Sequence, residues 1–179
     1  RVTVDGAREA LSARLSLQDV RTLGGEDSTG GDYAAEGLDF HEAYGQWGTE
    51  RGLRLGRQEF VMDGQRLLGN VDWTQQGRSF DGLLLFGSWG DYRNRLLMAR
   101  VPDGGSHDLF VLSPSGKAGS VQWSVPLVLQ TNTMVATLER GVRADDWTRF
   151  TGGAYVKGMA EALTWRAEGY GQFGKSAQA

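Results

Sequence analysis

Apolar and polar residues alternate with a period of two along much of the chain. Over 11–18, Leu11, Ala13, Leu15 and Leu17 alternate with Ser12, Arg14, Ser16 and Gln18. Over 163–173, Leu163, Trp165, Ala167, Gly169, Gly171 and Phe173 share one parity, and Thr164, Arg166, Glu168, Tyr170 and Gln172 share the other. A period of two belongs to β-strands, whose successive side chains point to opposite faces. Further strands are predicted near 38–48, 52–61, 78–89, 94–101, 107–112, 120–130, 133–141 and 149–158. Turn chemistry separates them at 102–105 (PDGG), 113–119 (SPSGKAG) and 140–146 (RGVRADD), and 24–37 is a longer polar loop. The segment 5–15 has some helical character, but its leucine spacing fits a strand better.

Roughly eight to ten such strands leave three architectures open: a soluble β-sandwich, a small soluble barrel, or part of a membrane barrel. A membrane barrel requires apolar residues outward, polar residues inward and aromatics at the edges of the apolar band. The 11–18 and 163–173 segments satisfy this. The run Gly82–Trp89 is apolar at both parities and does not.

The chain has 179 residues, enough for one domain with a sizeable core. With 19 Lys+Arg against 22 Asp+Glu the net charge is −3, which argues against a nucleic-acid binder. Only Lys117, Lys157 and Lys175 are lysines, so sixteen of the cations are arginines, whose planar donor fork suits carboxylate oxygens. No cysteine is present, so disulfides and thiolate chemistry are excluded. The 27 glycines, with six Trp, five Tyr and seven Phe, suit β structure with tight turns. No apolar run is long enough for a transmembrane helix. The chain opens on Arg1 within patterned sequence and is expected to be a piece of a longer protein.

Candidate catalytic groups are few. The Gly169–Gly174 segment (GYGQFG) has the glycine spacing of a dinucleotide-binding turn but lies inside an alternating strand, without the helix that would cradle a phosphate. A metal site or a Ser-His-Asp triad would need His41 or His107, and strand alternation points Glu42 to the face opposite His41. No metal site and no cofactor is expected. Paired carboxylates could come from Glu59, Asp63, Asp72 and Asp81, but each has an arginine within a few residues that would spoil a general acid. Arg14, Arg54 and Arg166 instead fall on the polar faces of alternating strands. If that face lines water, they supply the positive field of an anion-selective lumen, or else they pair with carboxylates on neighbouring strands.

One local conflict stands out. Arg57 and Glu59 share the parity of Leu53 and Leu55. An arginine facing lipid at mid-bilayer costs ~2–4 kcal/mol. Either Gly56 carries a bulge that flips the register, or the strand has left the apolar band by Arg57, with 62–77 folded as a loop at the rim or into the lumen. The latter is the reading adopted.

The stretch LRLGRQEFVMDGQRLLGNVDWTQQGRSFDGLLL, residues 53–85, resembles the alginate-export family of outer-membrane β-barrels. The likeness lies in Gly-Arg-Gln-Glu, an acidic-Gly turn, Arg-Leu, Asp-Trp and Gly-Arg-Ser-Phe-Asp-Gly. It is supported upstream by LDFHEAY and downstream by LTWRAEGYGQFG. The resemblance implies an all-β, antiparallel transmembrane β-barrel, of which this chain is one partial domain over 1–179. It places Arg57, Gln58, Glu59, Arg66, Asp72, Trp73, Arg78 and Asp81 at the lumen or rim, in a solute path shared with Arg14, Arg54 and Arg166. It also implies a channel rather than an enzyme, in the bacterial outer membrane. The partners implied are an anionic polysaccharide or smaller anion, outer-membrane lipid and periplasmic export machinery. Such barrels need about 16–18 strands for a polymer-wide lumen. Pro114 and Pro126 fit a lipid-facing strand poorly, because proline cannot donate to the ladder. Two rivals remain. One is a soluble glycan-binding β-sandwich that stacks sugars on Trp47, Trp73 and Trp89. The other is a carbohydrate-active enzyme using Asp72 and Asp81.

Overall fold

The structure, a computed structural model, describes residues 1–19, 38–70, 77–102, 106–132 and 147–174. Among these there is no helix, and twelve strands account for the regular structure. They are β1 (Val2–Arg8), β2 (Leu11–Asp19), β3 (Leu38–Trp47), β4 (Arg51–Gln58), β5 (Phe80–Trp89), β6 (Tyr92–Pro102), β7 (Ser106–Leu112), β8 (Ser115–Ala118), β9 (Val121–Ser124), β10 (Leu127–Asn132), β11 (Trp147–Ala160) and β12 (Leu163–Gly174). The chain divides into two compact units, Arg1–Thr49 with Leu53–Gly82, and Glu50–Gly52 with Leu83–Ala179.

In the first unit β1 to β4 form an antiparallel meander in chain order. The strand at β1 is absent from the sequence expectations, because Val2 and Val4 are followed by Asp5, Gly6 and Arg8 and give too short an apolar alternation. Register fixes the faces, since directly paired residues in an antiparallel sheet lie on the same side. Val4, Leu15, Ala43 and Arg57 form one row, and Gly6, Ala13, Gly45 and Leu55 the next. Asp5, Arg14, Tyr44 and Gly56 form a row on the other face.

In the second unit the order is again that of a meander, with two strands interrupted. β7 pairs with the end of β6 and β8 with its start, so β7 and β8 are the two halves of one strand position. β10 and β9 share the flank of β11 in the same way. Each break coincides with a proline, Pro114 or Pro126, where the ladder would need an amide hydrogen that proline lacks. The neighbours compensate: Val125 N donates to Pro114 O at 2.9 Å and Gly153 N to Pro126 O at 3.2 Å. The expected turn at 113–119 therefore resolves into β8 followed by a tight turn at Gly119–Ser120. The expected strand 133–141, the loop 24–37 and the turn 140–146 lie outside the described residues.

Tight turns close one end of each unit. They fall at Glu9–Ala10 and Gly48–Thr49 in the first, and at Gly90–Asp91, Gly119–Ser120 and Glu161–Ala162 in the second. Gly48, Gly90 and Gly119 take positive φ there. Gly119 and Gly90 are open on the side where a side chain would stand, so backbone conformation alone demands glycine.

The outward rows carry exposed apolar side chains with aromatics at both ends. Near the tight turns stand Trp47 in the first unit, and Trp89, Tyr92 and Trp165 in the second. Towards the other end stand Phe40, and Phe110, Phe150 and Phe173. Trp165 and Phe173 are eight residues apart on β12. At about 3.3 Å per residue and a tilt of about 40°, that separation spans roughly 20 Å, close to the ~25 Å apolar band of an outer-membrane barrel. Indole rings cover neighbouring glycines, Trp123 over Gly116 and Trp165 over Gly158, filling space left by the missing side chains.

The opposite face is not polar throughout. Leu97, Val111 and Val128 form a row across β6, β7 and β10, and they are buried together with Ala99 and Leu109. The apolar run in β5 has the same character, with Leu84 buried while Leu85 is exposed. Strands apolar at both parities thus belong to a packed part of the sheet.

Candidate functional site

The polar face of the first unit is a connected set of charged groups. Arg14, in the middle of β2, grips Asp5 of β1 through Nε (2.7 Å) and Nη2 (3.1 Å). Its Nη1 reaches Glu42 of β3 at 3.3 Å. Arg54 of β4 donates from Nε and Nη2 to Gln46 Oε1, at 2.9 and 2.8 Å, and its guanidinium lies 4.3 Å from the centre of the Tyr44 ring. Of the three arginines expected on polar faces, Arg14 and Arg54 belong to this unit, and both are tied to neighbouring strands.

A second cluster lies where β2, β3 and the end of β4 meet. The pairing of β2 with β3 slips between Ser16 and Leu17: Ser16 faces Glu42, while Leu17 faces Phe40. His41 is the extra residue of this β-bulge, so His41 and Glu42 are both buried. The alternation that would put Glu42 on the face opposite His41 is broken by that one residue. His41 hydrogen-bonds Glu59, which also accepts from Asn70 Nδ2 at 2.9 Å and lies 3.6 Å from Arg1. Arg1 in turn donates to Gln18 Oε1 at 2.7 Å, and Glu59 N donates to Glu42 Oε1 at 3.4 Å. Burial pushes the Glu59 carboxyl up. The hydrogen bonds from His41 and Asn70, with the charges of His41 and Arg1, outweigh burial and hold it below its ordinary range.

This cluster anchors the connection after β4. Phe60, Met62 and Leu68 are buried, Met62 N donates to Leu68 O at 3.2 Å, and Arg78 N donates to Asn70 O at 2.6 Å. Asp63 and Gln65 adopt positive φ to make the turn between them. The region expected as a loop over 62–77 is therefore an ordered fold of chain as far as Asn70, and 71–76 lie outside the described residues.

The conflict at Arg57 has a definite resolution. Pairing of β3 with β4 runs without a slip from Trp47 and Leu53 to Ala43 and Arg57, so Gly56 does not flip the register. Gly56 does take φ +126°, and a Cβ there would overlap the carbonyl oxygen of Ala43. Arg57 stays on the row of Val4, Leu15 and Ala43, one residue from the end of its strand. It bonds Asp81 through Nε and Nη2, both at 2.8 Å, and reaches Phe40 O at 3.2 Å and Asp39 at 3.5 Å. Arg57 and Asp81 thus form a bidentate pair at the strand end.

Gln58 is fully buried, and its amide nitrogen donates to Gly82 O (3.1 Å) and Gly56 O (3.3 Å), which makes it a strut between backbones. Arg66 and Arg78 are exposed, and Asp72 and Trp73 lie outside the described residues. Arg166 stands exposed on β12 opposite Lys157 of β11. Sequence reasoning missed Glu42, Asn70, Arg1 and Gln18. Of this cluster only His41 and Glu59 were visible as candidates, and no pattern announces a bulge that depends on how two strands pair.

Among the described residues no group of three or more His, Cys, Asp or Glu could hold a metal ion. Of the four carboxylates considered for acid–base work, Glu59 is held by His41 and Asp81 by Arg57, Asp63 lies in the turn after β4, and Asp72 lies outside the described residues. A family model described as alginate export matches residues 2–179.

This chain belongs to the alginate export family. No curated protein and no solved structure matches it. The antiparallel all-β architecture is that of part of a β-barrel, as expected of an alginate export protein. Membership points to transport of an alginate-like polysaccharide at the outer membrane, and to a channel rather than a hydrolase. The alginate export assignment also makes sense of the two-faced sheet, with exposed leucines and aromatics on one side and arginine networks on the other.

Proposed function

We propose that this protein is an outer-membrane channel for passive export or diffusion of an anionic polysaccharide of the alginate type, or of a smaller anionic solute. Its path runs over the polar faces of the units, Arg14 and Arg54 in the first and Arg166 in the second, with Glu59, Arg66, Asp72, Trp73, Arg78 and the Arg57–Asp81 pair at the rim. Lipid covers the aromatic-bordered face, and periplasmic export machinery delivers the solute. One observation carries this reading: within each unit most of the exposed large apolar side chains lie on rows opposite Arg14, Arg54 and Arg166, and Arg8, Arg57 and Arg100, which share the apolar rows, stand near strand ends. A water-filled lumen inside a lipid-facing wall needs that division. A polyanion moving through it needs many weak contacts, because tight binding at one point would hold the chain in place. Arginines partly neutralised by Asp5, Glu42 and Asp81 provide moderate attraction of that kind.

The test uses the full-length protein expressed in a Gram-negative host. It should fractionate with outer membranes, migrate faster unboiled than boiled, and form channels in planar bilayers whose conductance drops when oligouronate is added. A soluble product with unaltered migration would refute the reading and favour the glycan-binding sandwich.

A further inference from the structure

Most arginines among the described residues are engaged. Arg14, Arg54, Arg57, Arg100 and Arg149 each donate to a side-chain acceptor on a neighbouring strand or, for Arg57, at the start of β5. Four cations in the second unit differ. Lys117 of β8 pairs in register with Gln122 of β9, Gln122 with Lys157 of β11, and Lys157 with Arg166 of β12. The three cations therefore stand in one row across four strands, on one side of the sheet. Arg93 of β6, paired with Ser115 two residues before Lys117, flanks the row on the same face. Trp123, Gly158 and Trp165 lie on the opposite, lipid-side rows. All four cations are exposed, and none of their side chains has a hydrogen-bond or ion-pair partner among the described residues. Glu168, two residues beyond Arg166 on the same face, accepts from Tyr170 OH at 3.2 Å.

Lys157 directly opposite Arg166 is unfavourable for a sheet, because like charges in a cross-strand pair repel. Local rules of this kind are broken at functional or strained sites. The row also lies beside the tight turns Gly90–Asp91, Gly119–Ser120 and Glu161–Ala162. In outer-membrane barrels the short turns face the periplasm.

We propose that Arg93, Lys117, Lys157 and Arg166 form a carboxylate-collecting site on the lumen face at the periplasmic end, which gathers an acidic polysaccharide before it enters the path. The site rests on the proposed transport reading and adds to it a place and a set of residues. Lysine suits the task, since its flexible point charge can follow a moving carboxylate, whereas a bidentate arginine fork would hold one geometry. The row runs across the strands, so a polymer meets several cations at one depth of the lumen.

The experiment compares the full-length wild type with Lys117→Gln/Lys157→Gln/Arg166→Gln in planar bilayers. Oligouronate and, separately, citrate are added on each side. Three exposed contacts of ordinary strength together amount to roughly tenfold in affinity. The triple variant should therefore be blocked roughly tenfold more weakly by either carboxylate from the tight-turn side, and its preference for chloride over potassium should fall. Lys117→Arg/Lys157→Arg keeps the charges and should retain most of the wild-type block, and Arg100→Gln, on the outward row of Met98 near the far end of β6, should leave block from the tight-turn side unchanged. Removing the repulsive row should not hinder folding, and heat-modifiable migration of the variant verifies this. If carboxylate block is equal in wild type and triple variant, the site is overturned while transport stands. If the wild type binds citrate in a row-dependent way but ignores oligouronate, the site stands and the polysaccharide reading falls.

Discussion

Replacing Asp81 by Asn tests where the edge of the apolar band lies. The substitution keeps shape and removes the charge that Arg57 holds through two bonds of 2.8 Å. Arg57 would keep the amide oxygen of the new side chain as a neutral acceptor, with Phe40 O at 3.2 Å and Asp39 at 3.5 Å. The two side chains are 32% and 47% exposed, so water screens the pair, and such a pair is worth ~1 kcal/mol or less. The unpaired arginine adds a cost set by depth: about 0–1 kcal/mol at the interface but ~2–4 kcal/mol at mid-bilayer. With Arg57 one residue from the end of β4, the interface value applies, and Asp81→Asn should cost about 1 kcal/mol. Equilibrium unfolding by urea in lipid vesicles measures it, with Arg57→Gln and the double variant completing a thermodynamic cycle. The coupling should come out near 0.5–1 kcal/mol. A loss above ~2 kcal/mol, largely restored by the second substitution, would place Arg57 deep in lipid and refute the rim assignment. Zero coupling would refute the pair itself.

Other outcomes follow from the same geometry. Gly56→Ala should destabilise by about 1–3 kcal/mol in the same assay, because φ +126° and the Ala43 carbonyl both exclude a side chain. Leu129→Arg, on the outward row of Met98, Phe110 and Phe150, should cost ~2–4 kcal/mol or prevent membrane assembly, and a fully folded variant would reverse the assignment of faces. Glu59 titrates below its ordinary pKa of about 4.5 when folded, so its stabilisation is complete above that pH and is lost as pH falls through the lower, folded value. Amide exchange across 59–70 should therefore accelerate below about pH 4.5 while the strands stay protected; unchanged protection down to pH 3 would remove Glu59 from its anchoring role.

The two-residue period was enough to locate most strands, because β2 and β12 expose one face and keep the other polar. It failed where a strand is short and charged, as at β1, whereas β5 was located although its two apolar faces break the alternation. The prolines were rightly suspect. Their effect, two strands each cut in half but kept in line by carbonyls that still accept, depends on pairing and is not written in either segment alone. The same holds for the site. Arg14 and Arg54 were legible from parity, whereas Glu42 and His41 came together only because Ser16 and Leu17 face residues that are not neighbours. Arg57 showed its conflict in the sequence, but its resolution needed Asp81, twenty-four residues further on.

The tight turns carry a consequence for how such a chain is made. Within each unit every described strand position bonds the one before or after it, so each hairpin can close as soon as its second strand is available. Loop closure over so few residues is cheap in entropy, and no strand has to wait for a distant segment. A wall that must enter a membrane without ever showing lipid a long unpaired edge can then grow by zippering, one hairpin at a time.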